Sequence, residues 1–381
     1  MNKLRSLIGI FGLLGALLLS ACQGLPQVQA QDRLFLDLEA RFLGAAEIPG
    51  KEYKDTQVGG LSAITYDRKR DRFFALSDDP SSKGPARFYT LKLSIDKAGP
   101  QLRKADIKGV TLLRTEVGEP FPRGTIDAEG IALSAQGSLF IATEGVARRG
   151  IQPIIGEFDL ETGNLKQQLP IPARYWNPEA PGTDQGIVAN KGFESLALSP
   201  GGLVASDPFR LFTAVEEPLA QDAGNAEEAR VRWLHYSLDN VGPPQLVAEH
   251  VYLLEPAPEN AIANGLTDIV TLPWEGVFIT LERSFSLTEG TQAKLFQVVV
   301  GNATDTSRIA SLAGDLGQVE PLKKKLLLDL ATLPLQLDNL EGITLGPQLP
   351  DGSKSLVLIS DDNFRETQVT QVILLGLTGL P

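Results

Sequence analysis

Five times along this chain an apolar, strand-like run turns and comes back as a second run that ends in an acid. GGLSAITYD (59–67) turns at DRKRD into RFFALSDD, EGIALS into SLFIATEG, and ESLALSP leads to FRLFTAVEEP; TDIVTLP leads to GVFITLER and EGITLGP to SLVLISDD. The acids closing the second runs, Asp78, Glu144, Glu216, Glu282 and Asp361, stand 66, 72, 66 and 79 positions apart. A third run follows each pair (RFYTLKLSI, IIGEFDL, VRWLHYSL, KLFQVVV, QVILLGL), and a fourth follows the first four units (VTLLRTEV, LKQQLPI, QLVAEHVYL, LLLDLAT). So even a period of short strands restricts the chain to an array of like sheets.

The fifth unit has no fourth run before Pro381, while LFLDLEARFL (34–43) is left over at the other end. An N-terminal strand that completes the last sheet closes a ring and removes its exposed edges. The expected fold is therefore all-β: a β-propeller of four-stranded blades, five of them visible, with room for a sixth, degenerate one between Gly301 and Leu335. A pair of β-sandwiches or an irregular all-β enzyme would show similar alternation and stays open. Helical patterning is weak, best at GNAEEARVR (224–232) and LAGDLGQVEPLKKK (312–325).

In an antiparallel meander the start of strand one and the end of strand two share one sheet edge. If strand one lines the channel, Glu129, Glu194, Asp268 and Glu341 gather at one mouth with Asp78, Asp79, Glu144, Glu216, Glu217, Glu282, Asp361 and Asp362. Arg87, Arg148, Arg149, Arg283 and Arg365 follow closely. Carboxylates so crowded raise one another's pKa values unless cations screen them, and a set of hard oxygens suits Ca²⁺. The plainer alternative is that these acids cap loop amides and pair with the arginines, repeating because the blades were duplicated. The loop 173–192 enters the third unit at the same mouth and is long enough to act as a lid over it.

The first residues are a separate matter. MNKLRSLIGIFGLLGALLLSAC has a positive start and a short apolar run, and Leu19-Ser20-Ala21-Cys22 resembles the lipobox of exported lipoproteins. The expected organisation is a signal peptide over 1–21, lipidation of Cys22, a linker over 22–33 and the propeller over 34–381. Plain secretion with cleavage after Ala30, which leaves the body soluble, is the alternative; either places the body outside the cytoplasm, and only the lipoprotein reading holds it to a membrane, through lipid alone. Cys22 is the single cysteine, so no internal disulfide forms. Taking Lys3 and Arg5 from 35 basic residues leaves 33 against 47 acidic ones. That balance argues against nucleic acid as a partner.

GGLSAITYD, RFFALSDD and ARFYTLKL, then DAEGIA, KGFESLALSP and ISDDNF, resemble the phytase-like family of exported bacterial proteins, described as having esterase-like activity of phytase. The similarity runs from about Leu34 to Leu380. It implies a propeller that hydrolyses phosphoesters or other esters, with a small-molecule substrate. The positions that match are Asp78, Asp79, Glu129, Glu194, Glu341, Asp361 and Asp362; of these Asp78, Asp79, Asp361 and Asp362, joined by Glu144 of the acid ring, are the expected metal ligands, with Ca²⁺ as the expected cofactor. Glu129, Glu194 and Glu341 are the expected catalytic carboxylates, and Arg87, Arg149, Arg283 and Arg365 the expected phosphate contacts. A serine triad is disfavoured: the two histidines, His235 and His250, fall on outer strands, and no G-x-S-x-G elbow is present. Two other readings remain, a lactonase or carboxylesterase on a metal-centred propeller and a binding propeller without catalysis.

Overall fold

A computed structural model describes residues 34–177, 184–199, 207–224, 228–239 and 242–380. The chain divides into two compact units, Met1–Leu36 and Asp37–Pro381, and every strand among the described residues belongs to the second. The signal segment, Cys22 and the 22–33 linker lie outside the described residues.

Alternating runs become strands as their patterning requires. After β1 (Glu39–Glu47) comes a small hairpin, β2 (Glu52–Tyr53) and β3 (Thr56–Gln57). Blade one is β4 (Leu61–Asp67), β5 (Arg72–Ser77), β6 (Arg87–Ile95) and β7 (Leu102–Leu112). Blade two is β8 (Ala128–Leu133), β9 (Ser138–Thr143), β10 (Ile155–Asp159) and β11 (Leu165–Gln168). Blade three is β12 (Phe193–Leu198), β13 (Phe209–Val215), β14 (Arg230–Leu238) and β15 (Gln245–Leu253). Blade four is β16 (Ala261–Thr271), β17 (Val277–Ser286), β18 (Gly290–Val299) and β19 (Lys323–Asp329). Blade five is β20 (Asn339–Gln348), β21 (Lys354–Asp361) and β22 (Gln371–Thr378), completed by β1, which pairs antiparallel with β22 from Glu39↔Thr378 to Glu47↔Gln371. The innermost strands β4, β8, β12, β16 and β20 touch in a closed cycle. This is a five-bladed β-propeller closed by its N-terminal strand.

Inner strands are apolar on both faces because each lies between two blades. On β4, Ala63 packs with Ile131, Leu139 and Ile141 of blade two, whereas its neighbour Ile64 packs with Val357, Ile359 and Val372 of blade five. Full burial of such side chains stabilises by roughly 1.5–3 kcal/mol each. Trp233 on β14 is wholly buried, its ring 5.0 Å from Phe278 of the next blade.

No sixth blade occupies Gly301–Leu335. That stretch instead leaves β18, runs along the outer edge of blade three, and returns as β19. Thr306 N donates to Glu249 O and Leu322 N to Val251 O, so the excursion supplies partners to the exposed edge of β15. Neither weak helical signal gives a helix among the described residues: Arg230–Arg232 open β14 and Lys323–Lys325 open β19. Tertiary burial overrides propensity here, since Arg232 must lie extended to reach Asp222 and Glu249 from inside the sheet.

Candidate functional site: an acidic channel mouth

One irregularity recurs in all five inner strands. The register slips between Leu61 and Ala63, Ala128 and Gly130, Phe193 and Ser195, Leu266 and Asp268, and Leu340 and Gly342. Each slip is a bulge whose extra residue is Ser62, Glu129, Glu194, Thr267 or Glu341. A bulge turns a side chain out of the regular alternation, and bulges gather at rims and active sites. Three of the five extra residues are glutamates, the three expected from sequence to be catalytic.

The bulges also fix which residues of strand two are equivalent. Leu61, Ala128, Leu266 and Leu340 pair with Ser77, Thr143, Glu282 and Ser360. The next residue, at the mouth, is therefore Asp78, Glu144, Arg283 or Asp361, and in blade three Glu216. Glu282 is one residue short of that position. Its carboxylate turns outward to Tyr252, Lys324 and the Glu255 amide, so it does not reach the mouth. Asp268 is also displaced: wholly buried, it accepts the amides of Ile269 on its own strand, Ile343 on blade five and Leu196 on blade three. It ties three inner strands together below the ring.

At the mouth stand Asp78, Asp127, Glu129, Glu144, Glu194, Glu216, Glu341 and Asp361 around Arg283, while the exposed Arg148 lies near enough to Asp127 to oppose the rise of its pKa. Arg283 Nη2 lies 3.2 Å from Glu216 and 3.3 Å from Glu341, and its buried Nε has no partner. Two groups each bring three carboxylate oxygens within 4.8 Å of one another: Asp127, Glu129 and Glu144, and Glu144, Glu194 and Glu216. Glu144 belongs to both. Glycine makes the approach possible. A Cβ on Gly192 would stand 2.9 Å from the Glu144 backbone, and one on Gly265 would stand 2.4 Å from the Glu216 side chain.

Burial followed by mutual repulsion governs the protonation of this set. Asp78, Glu129 and Glu194 are pushed well above the usual carboxylate range by burial, with Asp361, Glu194 and Glu216 respectively the strongest repelling acids. Burial lifts Glu144 and Glu341 to about 8, and Asp127 and Asp361 to about 6. In Glu341 the Asp361 charge adds to burial while Arg283 opposes it. An oxygen-only donor set with six- to eight-coordinate capacity, and oxygens spaced as across a shell of ~2.4 Å radius, fits a divalent cation of the Ca²⁺ class. Asp127, Glu129, Glu144, Glu194 and Glu216 would hold it.

Other expected site residues lie elsewhere. Arg87 and Asp79 form a wholly buried pair at 2.9 Å. Arg87 also donates to Tyr89 Oη, Pro85 O and Gln57 O, while Asp79 accepts the amides of Ser82, Lys83 and Gly84. Asp362 accepts from the amides of Gly60 and Phe364. Arg149 donates to the carbonyls of Arg123 and Gly124 on the exterior. Arg365 is exposed on the loop after Asp362. His235 and His250 lie on β14 and β15, away from the mouth.

Two members of the site were not singled out from sequence. Asp127 sits inside the quoted DAEGIA, two residues before a bulge glutamate, which was its one signal. Lys191, at the end of the 173–192 loop, bridges Glu216 and Glu217 at 2.9 Å each. The loop thus does reach the mouth, although its tip at 178–183 lies outside the described residues.

Fold and site together define a five-bladed propeller with a carboxylate ring at one end of its channel. The model of the phytase-like family, described as esterase-like activity of phytase, matches residues 56–364, and the chain belongs to that family. No curated protein matches it in sequence. Solved structures with a similar layout include an endo-arabinase from Bacteroides thetaiotaomicron, with a TM-score of 0.42 at 12% identity over 84% of this chain and 94% of that one. An α-L-arabinofuranosidase from Podospora anserina gives 0.42 at 8% identity over 89% and 97%. The Dos1 propeller gives 0.35 at 8% over 90% and 93%.

Proposed function

We propose that the chain is a metal-assisted hydrolase of ester bonds that works at the acidic mouth, with phosphomonoesters as the first substrate class and Ca²⁺ as the cation. The observation that carries this reading is the pair of carboxylate triads sharing Glu144, one of which meets Arg283 through Glu216. A bound divalent cation would supply Lewis acidity toward the ester oxygen and a more acidic water. The chain's own groups supply the rest. Glu129, held protonated in the metal-free ring, would give up that proton beside a bound cation, and its carboxylate, which accepts no hydrogen bond among the described residues, would then take the proton of the attacking water. Glu194 orients the cluster from the next blade. Glu341, lifted to about 8, holds a proton at neutral pH and delivers it to the leaving oxygen. Arg283 presents N–H donors to an anionic substrate oxygen.

One observation favours a second substrate class. Arg283 is already engaged by Glu216 and Glu341, and Arg87 is committed to Asp79, so little free cationic charge faces the mouth for a phosphate dianion. A carboxylic ester or lactone avoids that repulsion. The test is thermal unfolding with EDTA and then Ca²⁺, followed by turnover of an aryl phosphate and an aryl acetate on the same samples. Metal that binds only the folded form raises the melting temperature. A Ca²⁺-dependent rise with phosphate turnover supports the first class, and a rise with acetate turnover alone supports the second. A rise with neither would make this a binding propeller, and no rise removes the metal from the account.

We further propose export, with lipid attached at Cys22, on the strength of the lipobox-like Leu19-Ser20-Ala21-Cys22. Partition of the expressed protein into detergent, abolished by Cys22→Ala, is the expected result; equal partition of both forms would overturn it.

A further inference from the structure

The channel has a second mouth, on the face carrying the β4–β5 turn and its counterparts, and it is unlike the first. All five blades contribute to a cavity of about 1090 Å³ there. Half-buried apolar side chains, Leu133, Leu198, Phe209 and Leu345, make part of its wall. The acids on this face are already engaged. Asp67 and Glu161 are bonded to Arg70, Asp159 accepts the Glu161 and Thr162 amides, and Asp207 has a partner of its own. Lys69 donates to Ala135 O.

Two cations lining the cavity are different. Neither the Arg68 side chain, on the β4–β5 turn, nor that of Lys354, at the start of β21, has a hydrogen bond or ion pair with a described residue. Lys354 is also half-buried, and a charge drawn from water without an acceptor is unfavourable. Burial and then the nearby Arg68 charge both push the Lys354 ammonium below its ordinary pKa. A ligand anion reverses both effects at once.

We propose that this cavity is a second ligand site, taking a small organic anion with an apolar body: Arg68 and Lys354 receive the acidic head, and the leucines and Phe209 enclose the body. A concave, mostly apolar wall with a few convergent polar groups is the usual make-up of a small-molecule site. The proposal is independent of the chemistry at the acidic mouth, because the two groups of residues lie at opposite ends of the inner strands.

The test is calorimetric titration of the full folded protein with octanoate, and with acetate at matched ionic strength. Octanoate is expected to saturate one site and acetate to bind far more weakly. Arg68→Ala and Lys354→Met should each weaken octanoate about tenfold or more, the cost of a lost charge-assisted contact. Glu194→Gln, at the other mouth, should leave octanoate binding unchanged. Absence of saturable heat overturns the proposal, as does equal affinity in wild type and both variants. Arg68 lies on an exposed turn, so its removal tests the site even if Lys354→Met fails to fold.

Discussion

Two regions of this molecule bury ionised groups, and they do so in opposite ways. Within blade three, Arg232 is wholly buried against Asp222, at 2.6 Å, and Glu249, at 3.1 Å, with Tyr175 Oη donating to Glu249 and Arg174 at 3.8 Å. Charges there nearly balance. At the acidic mouth eight carboxylates gather around Arg283, with only Lys191 beside Glu216 as a second paired cation among the described residues. A balanced cluster is explained by its own contacts, while an unbalanced one needs protons, cations or substrate to complete it. The contrast separates architecture from function more cleanly than burial does, since both regions are buried.

The largest test of that contrast is pH. Folded pKa values at the mouth are raised, from 4.5 to about 8 for Glu144 and Glu341 and from 3.8 to about 6 for Asp127 and Asp361. The folded state therefore holds more protons than the unfolded one across this range. Stability from these groups is complete below pH ~4 and declines as pH rises through 6 and 8. Denaturation in EDTA should show a loss on the order of 5 kcal/mol between these limits, and Ca²⁺ should flatten the slope. A flat profile in EDTA would mean the carboxylates are neutralised in some other way.

Next in size is Arg232→Met, which leaves Asp222 and Glu249 buried without their shared partner. A loss of about 3–5 kcal/mol is expected by urea denaturation, with the Ca²⁺ response retained if the variant folds. A loss below about 1 kcal/mol would show that the network is not structural. Glu194→Gln should move stability the other way. Removing one charge from the crowd is expected to stabilise the metal-free protein by on the order of 1 kcal/mol at pH 8 while abolishing the Ca²⁺-induced rise in melting temperature. Destabilisation in EDTA would contradict repulsion at the ring. Arg149→Ala should change least, within about 0.5 kcal/mol in stability, because its donors meet exterior carbonyls. A large rise in KM would return it to the substrate contacts.

The blades were legible because strand patterning and turn residues are local, and so was closure, because one strand was missing at one end and spare at the other. The frame of the fourth blade was not. Spacing alone puts Glu282 in series with Asp78 and Asp361, but in blade four Glu282 itself pairs with the residue before the bulge, where the other blades have Ser77, Thr143 or Ser360, so Arg283 comes to the mouth. Pairing register leaves no mark in composition. Asp79 and Asp362 read like their neighbours Asp78 and Asp361, yet alternate direction sends them into loop amides. The buried network of blade three was invisible for a different reason: Asp222, Arg232 and Glu249 come from three separate segments that meet only in the folded chain.

Ring closure has a consequence in time. β1 is synthesised first among the strands and its partner β22 last, so the first strand waits, with an unpaired edge, for nearly the whole chain. Contacts that span so much sequence form slowly, and until they form the propeller is an open arc. During that interval the chain is vulnerable to pairing with other chains, and it is also still threadable. Deleting β22 would leave a protein arrested in that arc, with four complete sheets and a fifth that cannot be finished.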